Sequence, residues 1–208
     1  MSNLERINIG TGYAASLDVY SLVPCPVRVT SLQTHGKAVH RHATKFYNLQ
    51  SLDYKDSLWN IPLQLSFETR ESLAALTHLT SLRVMEKLLH SNGDYQFLND
   101  LPLRELEYHT DDAAADNCYG ALSRLTDLQA LTVRTLSAEQ VAGLSSLQHL
   151  TRLYLYQCHV GVNGENFTLL TSLQYLNLAG CRLTALNSAT IERQMPNLVA
   201  FANNHAVQ

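Results

Sequence analysis

In the segment LTSLQYLNLAGCRL, leucines stand at 173, 176, 178 and 183 with Cys181 between them. The spacing recurs one unit earlier at Leu150, Leu153, Leu155, Cys158 and Val160, and again at Leu128, Leu131, Val133, Leu136 and Ala138. Looser copies follow toward the N-terminus at Leu103/Leu106/Tyr108, Leu79/Leu82/Val84 and Leu49/Leu52/Tyr54. Poorer matches at Leu4/Ile7/Ile9 and Pro24/Val27/Val29 begin the chain, and Met195/Leu198/Ala200 closes it. The second apolar position then falls at 7, 27, 52, 82, 106, 131, 153, 176 and 198, so nearly all spacings lie in one class of 20 to 30 residues. A chain with 37 leucines among 208 residues placed this regularly is an array of like units, none of which buries its apolar face without a neighbour.

The pattern LxxLxLxx(N/C)xL at this period resembles the leucine-rich-repeat family. The resemblance is strong from Leu122 to Leu186, moderate from Phe46 to Ala113, and weak outside those bounds. It implies an α/β solenoid of about nine repeats, with a curved parallel sheet on the concave side and short helices or irregular returns on the convex side. One domain over residues 1–208 is expected. Its degenerate N-terminal repeats span 1–45, irregular repeats 46–118, regular repeats 119–186 and an incomplete C-terminal repeat 187–208. The longest spacing predicts an insertion near residues 91–96, where Ser91, Asn92, Gly93 and Asp94 supply loop chemistry.

Alternation within LxL turns Leu176 and Leu178 inward and leaves Tyr175, Asn177 and Ala179 outward. Stacking such strands at about 4.8 Å gives an array of roughly 38 Å over eight steps. The returns at Ser137–Leu147 and Asn187–Leu198 suit short helices, with Ser137 placed to cap the first. Cys158 and Cys181 take the position where the family carries Asn or Cys, and buried structural thiols are expected there. A disulfide between adjacent turns is the alternative reading.

Composition excludes several classes. Charged residues make up 16% and the net charge is -3, so no broad field draws nucleic acid or an anionic membrane. No apolar run is long enough for a transmembrane helix, and membrane insertion is not expected. The N-terminal segment, with Glu5 and Arg6, lacks the apolar core of a signal peptide, and the four cysteines lack disulfide-cap or CxxC clustering. A reducing intracellular compartment, cytoplasmic or organellar, follows as the expectation.

The segment from Ile7 to Ala15 carries GxGxxA with Gly10 and Gly12, yet no acidic residue lies between Asp18 and Asp53 to hold a ribose. No cofactor is expected. His35, Lys37, His40, Arg41, His42 and Lys45 form a basic cluster read as a solvated loop; an anionic partner such as RNA is the alternative. The cluster lacks the organised ligands of a zinc site, so no metal is expected. A nucleophile elbow, HExxH and P-loop are all missing, and no catalytic residue is assigned.

Recognition is expected on the outward columns of the sheet. Arg134, Arg152, Tyr154, Tyr156 and Tyr175 fall on neighbouring strands, and Tyr and Arg are enriched at binding hot spots. Glu105, Glu107 and His109 form an acidic stripe beside them, suited to a basic segment. Pro26, Arg28, Thr30, Val199 and Phe201 are placed on the same face by the repeat frame. The ends carry no polar cap, so a partner subunit is expected to cover them. The resulting expectation is a non-enzymatic protein-binding scaffold or adaptor within a larger intracellular assembly. A ubiquitin-ligase substrate receptor, and an enzyme using Cys118 or a nucleotide site at Gly10 and Gly12, are the alternatives.

Overall fold

The computed structural model describes residues 5–8, 28–35, 43–55, 67–85, 95–108, 120–158, 164–181 and 185–202. Nine strands run through them: β1 (Arg6–Asn8), β2 (Ser31–His35), β3 (Ser51–Lys55), β4 (Ser81–Met85), β5 (Glu105–Tyr108), β6 (Ala130–Leu136), β7 (Arg152–Cys158), β8 (Tyr175–Asn177) and β9 (Ala200–Ala202). They form one sheet in sequence order, and every neighbouring pair is parallel. Among the described residues, four α-helices are fully delimited in the returns: α1 (Phe67–Ala74), α2 (Ala138–Gly143), α3 (Gly164–Thr168) and α4 (Ala185–Gln194). The expected leucine-rich-repeat solenoid is the observed fold.

Register explains why the leucines recur. Leu32, Leu52, Leu82, Leu106, Leu131, Leu153 and Leu176 are paired strand to strand in one column, and all are buried. A second inward column holds Val84, Tyr108, Val133, Leu155 and Leu178. Burying a Leu or Val in this way contributes roughly 1.5–3 kcal/mol per side chain, and the columns meet only when neighbouring repeats stack. A one-residue slip would turn the apolar set outward, which fixes the register.

A third apolar position, three residues before each strand-entry leucine, completes the core. Phe46, Leu76, Leu125, Leu147, Leu170 and Met195 are buried, and each accepts through its carbonyl the N–H of the residue three further on, at 2.8–3.1 Å. The ladder also continues one residue below the strands. Thr151 and Arg152 both donate to the Gln129 carbonyl, at 2.9 and 3.0 Å, and Gln174 and Tyr175 both donate to Thr151, at 2.9 Å each. Backbone polar groups that a loop entry leaves open are thereby paired.

Two end units differ from the repeat frame read in sequence. In the second unit, Leu32 and not Val27 enters the inward column, paired with Ile7 and Leu52, while Val29 takes the preceding apolar position. Pro24 and Pro26 flank the displaced frame, and proline cannot donate to a central ladder. Ser31 and Gln33 therefore replace Pro26 and Arg28 on the outer face. In the last unit Phe201 pairs with Leu176, so Met195, Leu198 and Phe201 repeat the spacing of Leu170, Leu173 and Leu176. Phe201 packs toward the core, and Val199 sits just before β9 and not within it.

The return at α2 starts with a complete capping box. Gln140 N–H donates to Ser137 Oγ at 3.3 Å, and the Ser137 N–H donates to Gln140 Oε1 at 2.6 Å. Each satisfies a donor left open at the helix start. After β8 the chain turns through Gly180 at φ 78, in the left-handed region that glycine enters without strain. The Asn177 side-chain oxygen accepts the Ala179 N–H at 3.0 Å, and Cys181 N–H returns to the Leu178 carbonyl at 3.0 Å.

Cys181 is buried as the repeat frame requires, and it is disulfide-bonded where a free thiol was expected. Cys158 closes β7, with its side chain outside the described set. Gly10, Gly12, His109, Cys118, residues 36–42 of the basic cluster and residues 91–94 of the insertion expected near 91–96 also lie outside the described residues, whereas His35 ends β2, Lys45 lies in a short 3-10 turn and Tyr95 and Gln96 open another.

Candidate functional site: the outer sheet face

The outward positions of successive strands form rows across the sheet. One row runs Ser31, Ser51, Ser81, Glu105, Ala130, Arg152, Tyr175 and Ala200. The next runs Gln33, Asp53, Arg83, Glu107, Thr132, Tyr154, Asn177 and Ala202. A ladder spacing of about 4.8 Å brings every member within reach of its neighbour.

The central strands carry a charge network. Arg83 bonds Glu107 through Nε and stands 3.6 Å from Asp53 Oδ2 through Nη1. Gln33 Nε2 donates to that same Asp53 oxygen at 3.1 Å. In the adjoining row, Ser81 donates to Glu105 Oε2 at 3.4 Å, and Arg152 Nη2 donates to Glu105 Oε1 at 2.8 Å. Among the described residues, the acidic stripe is therefore matched by arginines and does not stand as a bare acidic surface. Sequence spacing missed this because the partners are 24 and 47 residues apart. They become neighbours only through strand register.

Beyond the network the face turns aromatic. Tyr154 and Tyr156 project from β7 and Tyr175 from β8, while Arg134 projects from β6. Tyr156 is 46% exposed and Tyr175 40%, although most large apolar side chains of the described core are buried. The strands bring all five expected tyrosine and arginine positions together on three neighbouring strands. Arg152 is paired with Glu105 while its side chain stays 40% exposed.

Among the described residues no group of three or more His, Cys, Asp or Glu side chains is arranged to hold a metal. Nor is any described helix long and apolar enough to cross a membrane.

No protein-family model and no curated protein sequence matches the chain. Solved structures do. An internalin, inlF, from Listeria monocytogenes superposes with a TM-score of 0.57 at 16% identity, over 91% of this chain and 51% of its own. This chain thus spans about half the length of that protein. Internalin C2, inlC2, from the same organism superposes with a TM-score of 0.54 at 15% identity, over 85% of this chain and 81% of its own. Identities this low speak to fold alone. With the repeat motif in its sequence and the in-register parallel sheet in its structure, the chain is a leucine-rich-repeat protein by fold.

Proposed function

We propose that the chain is a non-enzymatic recognition scaffold that binds a protein partner through the tyrosine-rich end of its outer sheet face. The observation that carries this reading is the exposure of Tyr156 and Tyr175 on the neighbouring strands β7 and β8, offset by four residues in register, with Tyr154 between those levels on β7 and Arg134 on β6. Tyrosine supplies a large rigid contact area with a polar tip, and such residues dominate binding energies at interfaces. The arginine–carboxylate network next to it supplies a pre-ordered polar border. Arg152 belongs to that border, bonded to Glu105 and in register with Tyr175.

A larger assembly is part of the same proposal, with the adaptor role as the specific form. The disulfide at Cys181 favours an oxidising compartment over the reducing one inferred from cysteine spacing, because such bonds persist where thiols are not kept reduced.

The test is affinity capture with Tyr156→Ala/Tyr175→Ala against wild type, after matched urea midpoints show that both fold. Each hot-spot tyrosine is worth at least about 2 kcal/mol, so partner recovery should fall more than tenfold. Undiminished recovery of the same partners would place recognition elsewhere on the molecule.

A further inference from the structure

A second feature lies outside the tyrosine patch, at the edge where β6 to β9 begin. The residues just before these strands, and the loop residues beneath them, enclose a cleft of about 630 Å³. Its walls carry four side-chain amides, from Gln129, Gln148, Gln174 and Asn197, all exposed. Thr151 and Asn197 are held in place by the adjoining turn: Thr151 Oγ1 donates to the Gln129 carbonyl at 3.2 Å, and Asn197 Nδ2 to the Thr171 carbonyl at 2.9 Å. Among the described residues, neither Lys, Arg, Asp nor Glu lines the cleft, and Val199 is the one aliphatic side chain.

We propose that this cleft is a binding site for a short neutral oligosaccharide. Three properties point there. The described lining carries no Lys, Arg, Asp or Glu, so an ionic ligand finds no opposite charge in it. It lacks the aromatic and arginine anchors on which protein interfaces depend. A primary amide offers two donors and an acceptor in one plane, which fits a pair of adjacent sugar hydroxyls.

Spacing adds to chemistry. Gln129 precedes β6 and Gln174 precedes β8, with Thr151 before the strand between them. These groups therefore step across the cleft by about 4.8 Å per strand. A hexose in an extended glucan advances by close to the same distance, so consecutive sugars meet consecutive repeats. Such a site has open walls and few apolar contacts, and millimolar affinity is expected.

The experiment uses the full chain labelled with nitrogen isotope, following the side-chain amide signals of Gln129, Gln148 and Gln174. Cellohexaose and maltohexaose are titrated separately, with glycerol at equal hydroxyl concentration as control. The proposal expects a saturable shift with at least one hexaose and none with glycerol. Gln148→Ala/Gln174→Ala should weaken binding by about tenfold or more, the loss of several neutral hydrogen bonds. Tyr156→Ala/Tyr175→Ala should bind as wild type, which separates this site from the tyrosine patch. Static amide signals with both hexaoses, or equal movement with glycerol, would overturn the proposal. So would movement caused by an uncharged glycine–serine peptide when both sugars are silent.

Discussion

Arg152 and Glu105 pair across a whole intervening strand, and what lies between them is the methyl group of Ala130. A larger side chain there would stand in the path of the guanidinium. Ala130→Leu is expected to part the two groups while leaving the sheet intact. Both side chains are about half exposed, at 40% and 51%, so a double-mutant cycle on Arg152→Ala and Glu105→Gln should give a coupling below about 1 kcal/mol. A coupling several times larger would mean that the pair is a stability element and not a surface border.

The inward column makes a sharper demand. Leu153 is fully buried between Leu131 and Leu176, and Leu153→Ala should cost about 2–5 kcal/mol by urea unfolding. Leu169, 53% exposed, is the matched control, and its alanine variant should change stability by less than about 0.5 kcal/mol. Equal effects at the two positions would contradict the burial of the inward column.

The start of α2 can be tested alone. Ser137→Ala removes the oxygen that accepts the Gln140 N–H, and a loss of about 1 kcal/mol is expected in the unfolding midpoint. Ser137→Asp should restore most of it, since Asp caps as well as Ser.

Gly180 offers a backbone test. At φ 78 an added Cβ is disfavoured, so Gly180→Ala should destabilise by about 1 kcal/mol, whereas Gly180→Asn should lose less because Asn tolerates the left-handed region.

The disulfide at Cys181 predicts that the native protein gains two hydrogens in mass when reduced under denaturing conditions. Peptide mapping without reduction should find the Cys181 peptide joined to a second cysteine peptide. A free Cys181 peptide would remove the oxidising-compartment proposal. Cys181→Ser should lower stability by about 2–4 kcal/mol.

The central leucine columns and the strands that carry the tyrosines were legible from the chain; the end units and the lateral pairing on the outer face were not. Leu131, Leu153 and Leu176 announce their column by a fixed interval, because burial acts on one residue at a time along the chain. The frame failed at Val27 and Leu198, where a run of evenly spaced apolar residues admits more than one alignment and the neighbouring strand decides. Met195, Leu198 and Phe201 held the deciding signal, an apolar residue three before the motif's first leucine, but the template began too late to use it. Tyr154, Tyr156 and Tyr175 were placed correctly on adjoining strands by their offsets from the leucines. The saturation of Glu105 and Glu107 was invisible, since it depends on which outward side chains become lateral neighbours and on Ala130 being small.

Strand order equal to chain order has a mechanical corollary. Pulling on the two ends loads the strand pairs in series, so each terminal repeat can detach without disturbing one several strands away. The Arg152–Glu105 contact is an exception, a cross-tie that spans two interfaces at once. Under force such a sheet should yield in a train of small, similar steps, and a surface contact worth less than about 1 kcal/mol leaves their order to the buried leucine columns.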